Sequence, residues 1–199
     1  GLYNTNMWSN TYGCKIQRSG SPGSYAYNVA LDWANRPVNW VSYWDACRFA
    51  NWLHTNQPIG GPDAGTTETG AYTLNGYNGN DGMTIQRNNN WKWAMSSEDE
   101  WYKAAYHKND GVTGNYWDYP TRSDTVPYSD NPSSLNTPDD SNTANHYQND
   151  SLANGYNDGF SVTGSTIPVA THYPTAFGAA CLSLTAYGTL DQGGQGWGW

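Results

Sequence analysis

Apolar and polar positions alternate with helical spacing in two stretches of this chain. The first is VSYWDACRFANWLHTNQ (residues 41–57), where Ala46, Phe49, Ala50 and Leu53 fall on one side of a helix. Ser42 stands where an N-cap hydroxyl is needed, and Asp45 follows three residues later, the spacing of a capping box. Pro58 and Gly60-Gly61 supply the stop. The second stretch is SSEDEWYKAAYHK (residues 96–108). Ser97 and Glu100 repeat the capping-box spacing, and three acids load the positive end of the helix dipole. Lys103, His107 and Lys108 load the other end, and Trp101, Ala104 and Ala105 form the face to be buried.

Elsewhere the period shortens or disappears. Residues 1–35 alternate aromatics with Asn, Ser and Gly, as in Tyr25-Ala26-Tyr27-Asn28-Val29, and predict short strands and turns. GAYTLNG (70–76), GMTIQRN (82–88) and NWKWAM (90–95) predict three further short strands, the first two joined by an Asn/Gly/Asp loop. From Gly111 onward no period survives. Roughly 80 residues of Asn, Asp, Gly, Ser, Thr and Pro are too long for an ordinary connection. Tyr116, Trp117, Tyr119, Tyr147, Tyr156, Phe160, Tyr173, Phe177 and Tyr187 punctuate that stretch and argue against disorder. Something other than regular ladders must hold it, and bound cations are the natural candidate, because they satisfy oxygen atoms that have no strand partner.

Composition sharpens this picture. The 199 residues suit one domain, or at most two small ones, and are enough for a substantial core. Trp (11) and Tyr (16) far outnumber Phe (3), in a background of small polar residues. That mixture describes adaptable binding surfaces, where rigid aromatic rings are flanked by amides and hydroxyls. A net charge of −8 with 9 Lys+Arg and no basic cluster excludes nucleic acid and anionic membrane as natural partners. No apolar run is long enough to span a membrane. Neither a signal peptide nor an initiator methionine is visible, so the expectation is a processed chain or a fragment. Cys14, Cys47 and Cys181 form no CxxC or Cys/His zinc pattern, and each reads best as a buried, unreactive thiol. No GxSxG, GxGxxG or P-loop is present. The Glu98/Asp99/Glu100 run is explained by the helix N-terminus rather than by acid–base catalysis.

The order of the landmarks carries a resemblance. RPVNWVSYWDACRFANWLH, AYTL, SSEDEWYKAAYHK, YWDYPT, SNTAN, NDGF and AYGTLDQGGQGWGW follow one another as in the formylglycine-generating enzyme (sulfatase-modifying factor) family. The pattern is most similar to its secreted bacterial branch, and it runs from about Arg36 to Trp199 with a weaker lead-in. The resemblance implies an α+β, C-type lectin-like fold: two helices, small twisted antiparallel sheets and long, calcium-pinned loops, here as one domain over residues 1–199.

It also implies two calcium sites. The first maps onto Asn145, the carbonyl of His146, Asp158 and the carbonyl of Phe160, with an ion-free Asx-turn at Asp158-Gly159 as the alternative. The second maps onto Asp191 and the carbonyls of Gly194 and Gly196. There the family places a closing glutamate at a position occupied here by Gly198, so the site loses a ligand and a charge. The alternative is a glycine-rich turn anchored by Trp197 and Trp199.

Family enzymes oxidise a substrate cysteine to formylglycine with O₂ and a copper ion held by two thiolates, and the resemblance places those thiolates beyond Trp199. None of the three cysteines here matches them, so the expectation is no catalytic residue and no copper in this chain. The leading expectation is a secreted or cell-surface, non-catalytic binding or structural module on a calcium-stabilised scaffold. It would contact a protein partner or another copy of itself through aromatic and Asn-rich loops. The alternatives are a formylglycine-generating oxidase whose cysteines lie outside this chain, and C-type-lectin-like glycan binding.

Overall fold

The computed structural model describes residues 2–11, 13–31, 33–34, 38–129, 142–144 and 185–187. In chain order these form α1 (Asn6–Ser9), β1 (Ile16–Ser19), β2 (Ala26–Val29), α2 (Tyr43–His54), α3 (Glu98–Tyr106), β3 (Tyr128–Ser129) and β4 (Thr143–Ala144). A single 3-10 turn spans Gly82–Thr84. The chain divides into two compact units, one made of Gly1–Asn4 with Trp40–Ser97, the other of Thr5–Asn39 with Glu98–Trp199.

In the first unit, α2 begins as its sequence requires. The Ser42 hydroxyl accepts from the Asp45 N–H at 3.1 Å, and the Asp45 carboxylate accepts from the Ser42 N–H at 3.4 Å. The stop comes earlier than Pro58. Asn56 takes a left-handed φ of 63°, its N–H reaches the Leu53 carbonyl, and the Gln57 N–H reaches the Trp52 carbonyl at 2.8 Å. That pair of bonds is a Schellman closure, with asparagine where glycine is commonest.

The buried side of α2 differs from the expected stripe. Phe49 is 51% exposed and stacks on Trp52 at 5.8 Å, whereas Cys47, Arg48, Ala50 and Asn51 face inward. Cys47 and Ala50 join Ala71, Tyr72 and Leu74 in the core, with Trp44, Ile85, Ala94 and Met95 packed against it. The stripe is rotated because two of its members are polar, and each has a full set of partners to justify burial.

None of the three stretches 70–76, 82–88 and 90–95 is a strand, contrary to expectation. Their backbone groups are satisfied one at a time. The Tyr72 N–H donates to the Asn51 side chain at 2.8 Å, the Leu74 N–H to the Glu68 carbonyl at 2.8 Å, and the Asn88 N–H to the Ala71 carbonyl at 2.8 Å. The Met95 N–H donates to the Tyr72 hydroxyl at 3.0 Å. Asn75 and Gly76 have φ of 49° and 80°, and the Tyr77 N–H closes on the Leu74 carbonyl, so this Asn-Gly pair makes the tight turn its sequence encodes.

In the second unit, β1 and β2 pair antiparallel from Ile16↔Val29 to Ser19↔Ala26. β1 alternates half-buried with exposed positions, while all of β2 is exposed. The single turn of α1 buries Met7, whose carbonyl accepts the Lys15 N–H at 2.7 Å. Gly13 is required here, because a Cβ would lie 2.2 Å from the Asn6 carbonyl oxygen. α3 carries its three acids in the first turn and Lys103 in the last. Ala105 is buried and Trp101 and Ala104 are half-buried, the face the sequence marks out. β3 and β4 form a two-residue pair that runs parallel rather than antiparallel. Among the described residues no helix is long and apolar enough to cross a membrane.

Candidate functional site

The chemistry of the first unit gathers around one arginine. Arg48, on the inward stripe of α2, is 7% exposed, and Glu68 opposite it is 8% exposed. The Arg48 Nε donates to Glu68 Oε1 at 2.6 Å and Nη2 to Oε2 at 3.3 Å, a two-pronged pair. The remaining donors are used as well: Nη1 reaches the Asn78 side chain at 3.0 Å, and Nη2 reaches the Tyr77 carbonyl at 2.9 Å. Glu68 also accepts the Gly76 N–H at 2.6 Å. The Arg48 guanidinium holds the Glu68 carboxyl below its usual range, with burial opposing it and the Gly76 N–H assisting. One ion pair thus fixes α2, the loop after Asp63 and the Asn75-Gly76 turn together.

The pair floors a cleft of about 780 Å³ lined by Asp45, Asp63, Asn75, Asn78 and Leu2, among others. Asp63 is spent on its own loop, accepting from the Gly65 N–H at 2.8 Å and from Thr66 Oγ1 at 3.3 Å. The Asp45 carboxylate is occupied by the helix cap. These charges hold the loops in shape.

Neither described thiol is poised for chemistry. Cys47 is fully buried, and burial pushes its thiol up to about 11, against smaller opposing effects of the Tyr43 hydroxyl and Arg48. Tyr43 is itself pushed up to about 12, by burial first and the Cys47 sulfur second. A thiol so protonated at neutral pH is a poor nucleophile and a poor copper ligand. Cys14 is buried too, its N–H bound to the Asn39 side chain at 2.9 Å. Cys181 lies outside the described residues.

In the second unit, the residues that follow α3 are tied to the entry of the last sequence motif. The His107 Nδ1 accepts from the Asn109 N–H at 3.0 Å and lies 2.8 Å from the Tyr187 hydroxyl, while Nε2 faces the Val112 carbonyl at 3.1 Å. These bonds select the tautomer with the proton on Nε2. Lys108 sits over the Trp117 ring at 4.1 Å and pairs with Asp124 at 3.4 Å. The Asp110 carboxyl lies below its ordinary value, chiefly because it accepts the Val112 N–H.

All seven proposed calcium ligands, Asn145, His146, Asp158, Phe160, Asp191, Gly194 and Gly196, lie outside the described residues. Among the described residues no three His, Cys, Asp or Glu side chains converge to hold a metal ion. Sequence reasoning overlooked Arg48, Asn51 and Glu68. The available signal was a charged and an amide residue at three-residue spacing inside an otherwise amphipathic helix.

The sulfatase-modifying factor enzyme 1-like domain model matches residues 2–199. No curated protein and no solved structure matches the chain. With α2 capped, α3 carrying its acids in the first turn, a small antiparallel sheet and much loop among the described residues, and the match covering nearly its whole length, the chain belongs to the FGE-sulfatase (sulfatase-modifying factor enzyme 1-like) domain family, whose fold is C-type lectin-like.

Proposed function

We propose that this chain is a non-catalytic binding module of the FGE-sulfatase family, working at the cell surface or outside the cell. The observation that carries the reading is the large share of aromatic side chains left in solvent. Trp8, Tyr25, Tyr27, Trp40, Phe49, Trp91, Trp93, Tyr102 and Tyr187 are all more than a third exposed. Large rings cost free energy in water and are enriched where partners dock. The thiols support the same reading, because Cys14 and Cys47 are buried and the Cys47 thiol stays protonated at neutral pH. The test is a turnover assay with the purified chain, Cu(I), O₂ and a cysteine peptide, read by mass spectrometry. The peptide is expected to return unchanged; copper-dependent conversion to formylglycine would move the function to the oxidase reading.

Calcium has a stabilising role in this proposal. The groups at Asn145, His146, Asp158 and Phe160, and at Asp191, Gly194 and Gly196, are all oxygen donors, the set a hard cation takes. They lie in the stretch where the sequence offers least regular periodicity. An ion bound only to the folded chain at about one hundred times its Kd adds about 2.7 kcal/mol. For a chain of this size that corresponds to about 5–10 °C in melting temperature. EDTA should therefore lower the melting temperature by that amount, calcium should restore it, and Asp158→Ala should shrink the difference. An unchanged melting curve in EDTA removes calcium from the account.

A further inference from the structure

The segment that turns back under Tyr72 leaves a second concavity in the first unit. It measures about 340 Å³ and is lined by Thr73, Thr84, Gln86, Arg87, Asn88 and Asn89, together with Ile85. That volume sits at the lower end of the range, about 300–1,000 Å³, of small-ligand clefts. Its lining is dominated by side-chain amides and hydroxyls, and Arg87 is its single charge. Among the described residues the Gln86 and Asn89 carboxamides and the Thr84 hydroxyl, all exposed, carry no protein partner. Asn88 is held in place by its own Nδ2, which donates to the Gly70 carbonyl at 2.8 Å, leaving its Oδ1 unengaged.

Arg87, on the lining of the groove, has an aromatic neighbour outside it. The Arg87 guanidinium lies 4.7 Å from the centre of the Trp91 ring, and the Arg87 Nη1 also reaches the Met95 carbonyl at 3.4 Å. Arg87 therefore orients Trp91 and is itself held in place. Trp91 is 44% exposed and Trp93, two residues on, is 58% exposed.

We propose that this groove is a saccharide-binding site, with Gln86, Asn88, Asn89 and Thr84 meeting sugar hydroxyls and Trp91 offering its ring to the apolar face of a pyranose. The inference rests on the binding-module reading and names its ligand class. A carboxamide presents a donor and an acceptor side by side, the pattern that two neighbouring sugar hydroxyls answer. A pyranose also carries a C–H face that an electron-rich ring accepts. The ligand is a neutral sugar. The one cation of the groove is already engaged with Trp91 and Met95, so a carboxylated or sulfated sugar gains little there. A nucleic acid would meet a chain of net charge −8. No Asp or Glu lines the groove, so binding there needs no calcium.

The experiment titrates the full chain with cellohexaose, chitohexaose, maltohexaose and mannohexaose, following tryptophan fluorescence and calorimetry, with and without EDTA below the melting transition. At least one should bind in both conditions. Trp91→Ala and the pair Gln86→Ala/Asn89→Ala should each weaken it by roughly tenfold or more. Leu31→Ala, in the other unit and fully exposed, should leave affinity unchanged. Because Trp91, Gln86 and Asn89 are exposed, unchanged melting curves will show that loss of binding is not loss of fold. Absence of binding to all four sugars, binding indifferent to the groove variants, or binding abolished by EDTA would each overturn the proposal. Each of these three results would leave the binding-module reading standing. Formylglycine formation would instead strike that underlying reading.

Discussion

Replacing Glu68 by glutamine is expected to lower the unfolding free energy by about 3 kcal/mol and the melting temperature by about 6–12 °C. The size follows from what remains behind. Arg48 is 7% exposed and keeps its positive charge, but it loses the carboxylate that its Nε and Nη2 address. Asp45, 3.8 Å from Nη1, is too distant and too exposed to replace it. Glutamine also cannot accept at both oxygens, so either the Gly76 N–H or one Arg48 donor goes unmet. Removing both charges is the informative contrast. Arg48→Met/Glu68→Leu should recover at least half of the loss, because well-packed apolar pairs often match a buried ion pair in stability. A Glu68→Gln variant that melts within about 1 °C of the parent would show that the pair is not needed to hold the loops to α2.

The same pair sets a pH dependence with a definite sign. The folded-state value of Glu68 lies below its ordinary 4.5, the Arg48 hydrogen bonds being the largest cause. Its contribution is therefore complete above the unfolded-state value and is lost as pH falls through the folded one. Stability of the parent should decline on acidification below about pH 4.5 more steeply than that of Glu68→Gln, and the two curves should converge.

The two long helices were legible because their signals are local. Ser42 and Asp45 are three residues apart, and the acids of α3 stand next to one another, so nothing distant is needed to read them. The end of α2 was legible only in part, since Pro58 is an obvious breaker while Asn56 gives no warning of a left-handed turn. The strands expected over 70–95 failed for a physical reason. Short runs such as Ala71-Tyr72-Thr73-Leu74 have the composition of strands, but their amides bond to Asn51, Tyr72 and single carbonyls rather than to a neighbouring ladder. A composition rich in Asn and Thr makes that substitution available, because these side chains compete with secondary structure for backbone groups. The Arg48–Glu68 pair spans twenty residues of chain, and no periodicity links such positions. The groove at Gln86 and Asn89 is equally silent in sequence, where its amides look like any polar loop.

Asn51 makes the strongest case for that substitution, and its replacement should cost as much as that of Glu68. It is fully buried, donates from Nδ2 to the Thr67 carbonyl at 2.8 Å and the Tyr72 carbonyl at 3.0 Å, and accepts the Tyr72 N–H at 2.8 Å. Asn51→Leu is similar in size but leaves one N–H and two carbonyls without partners. At about 1 kcal/mol or more for each, the loss is about 3–5 kcal/mol in urea unfolding. Asn51→Asp separates hydrogen bonding from packing, because it keeps the shape almost unchanged. Its carboxylate accepts the Tyr72 N–H but faces the carbonyls of Thr67 and Tyr72, so the ionised form is disfavoured and its folded-state value must rise. The variant should therefore be strongly destabilised at neutral pH and regain stability relative to the parent as pH falls and the carboxyl acquires a proton to donate. Crowding by Gly70, where a Cβ would stand 3.0 Å from the Asn51 Oδ1, leaves the side chain little room to turn away from these partners. A pH-independent penalty in Asn51→Asp would mean that packing, not the three hydrogen bonds, is what this position supplies.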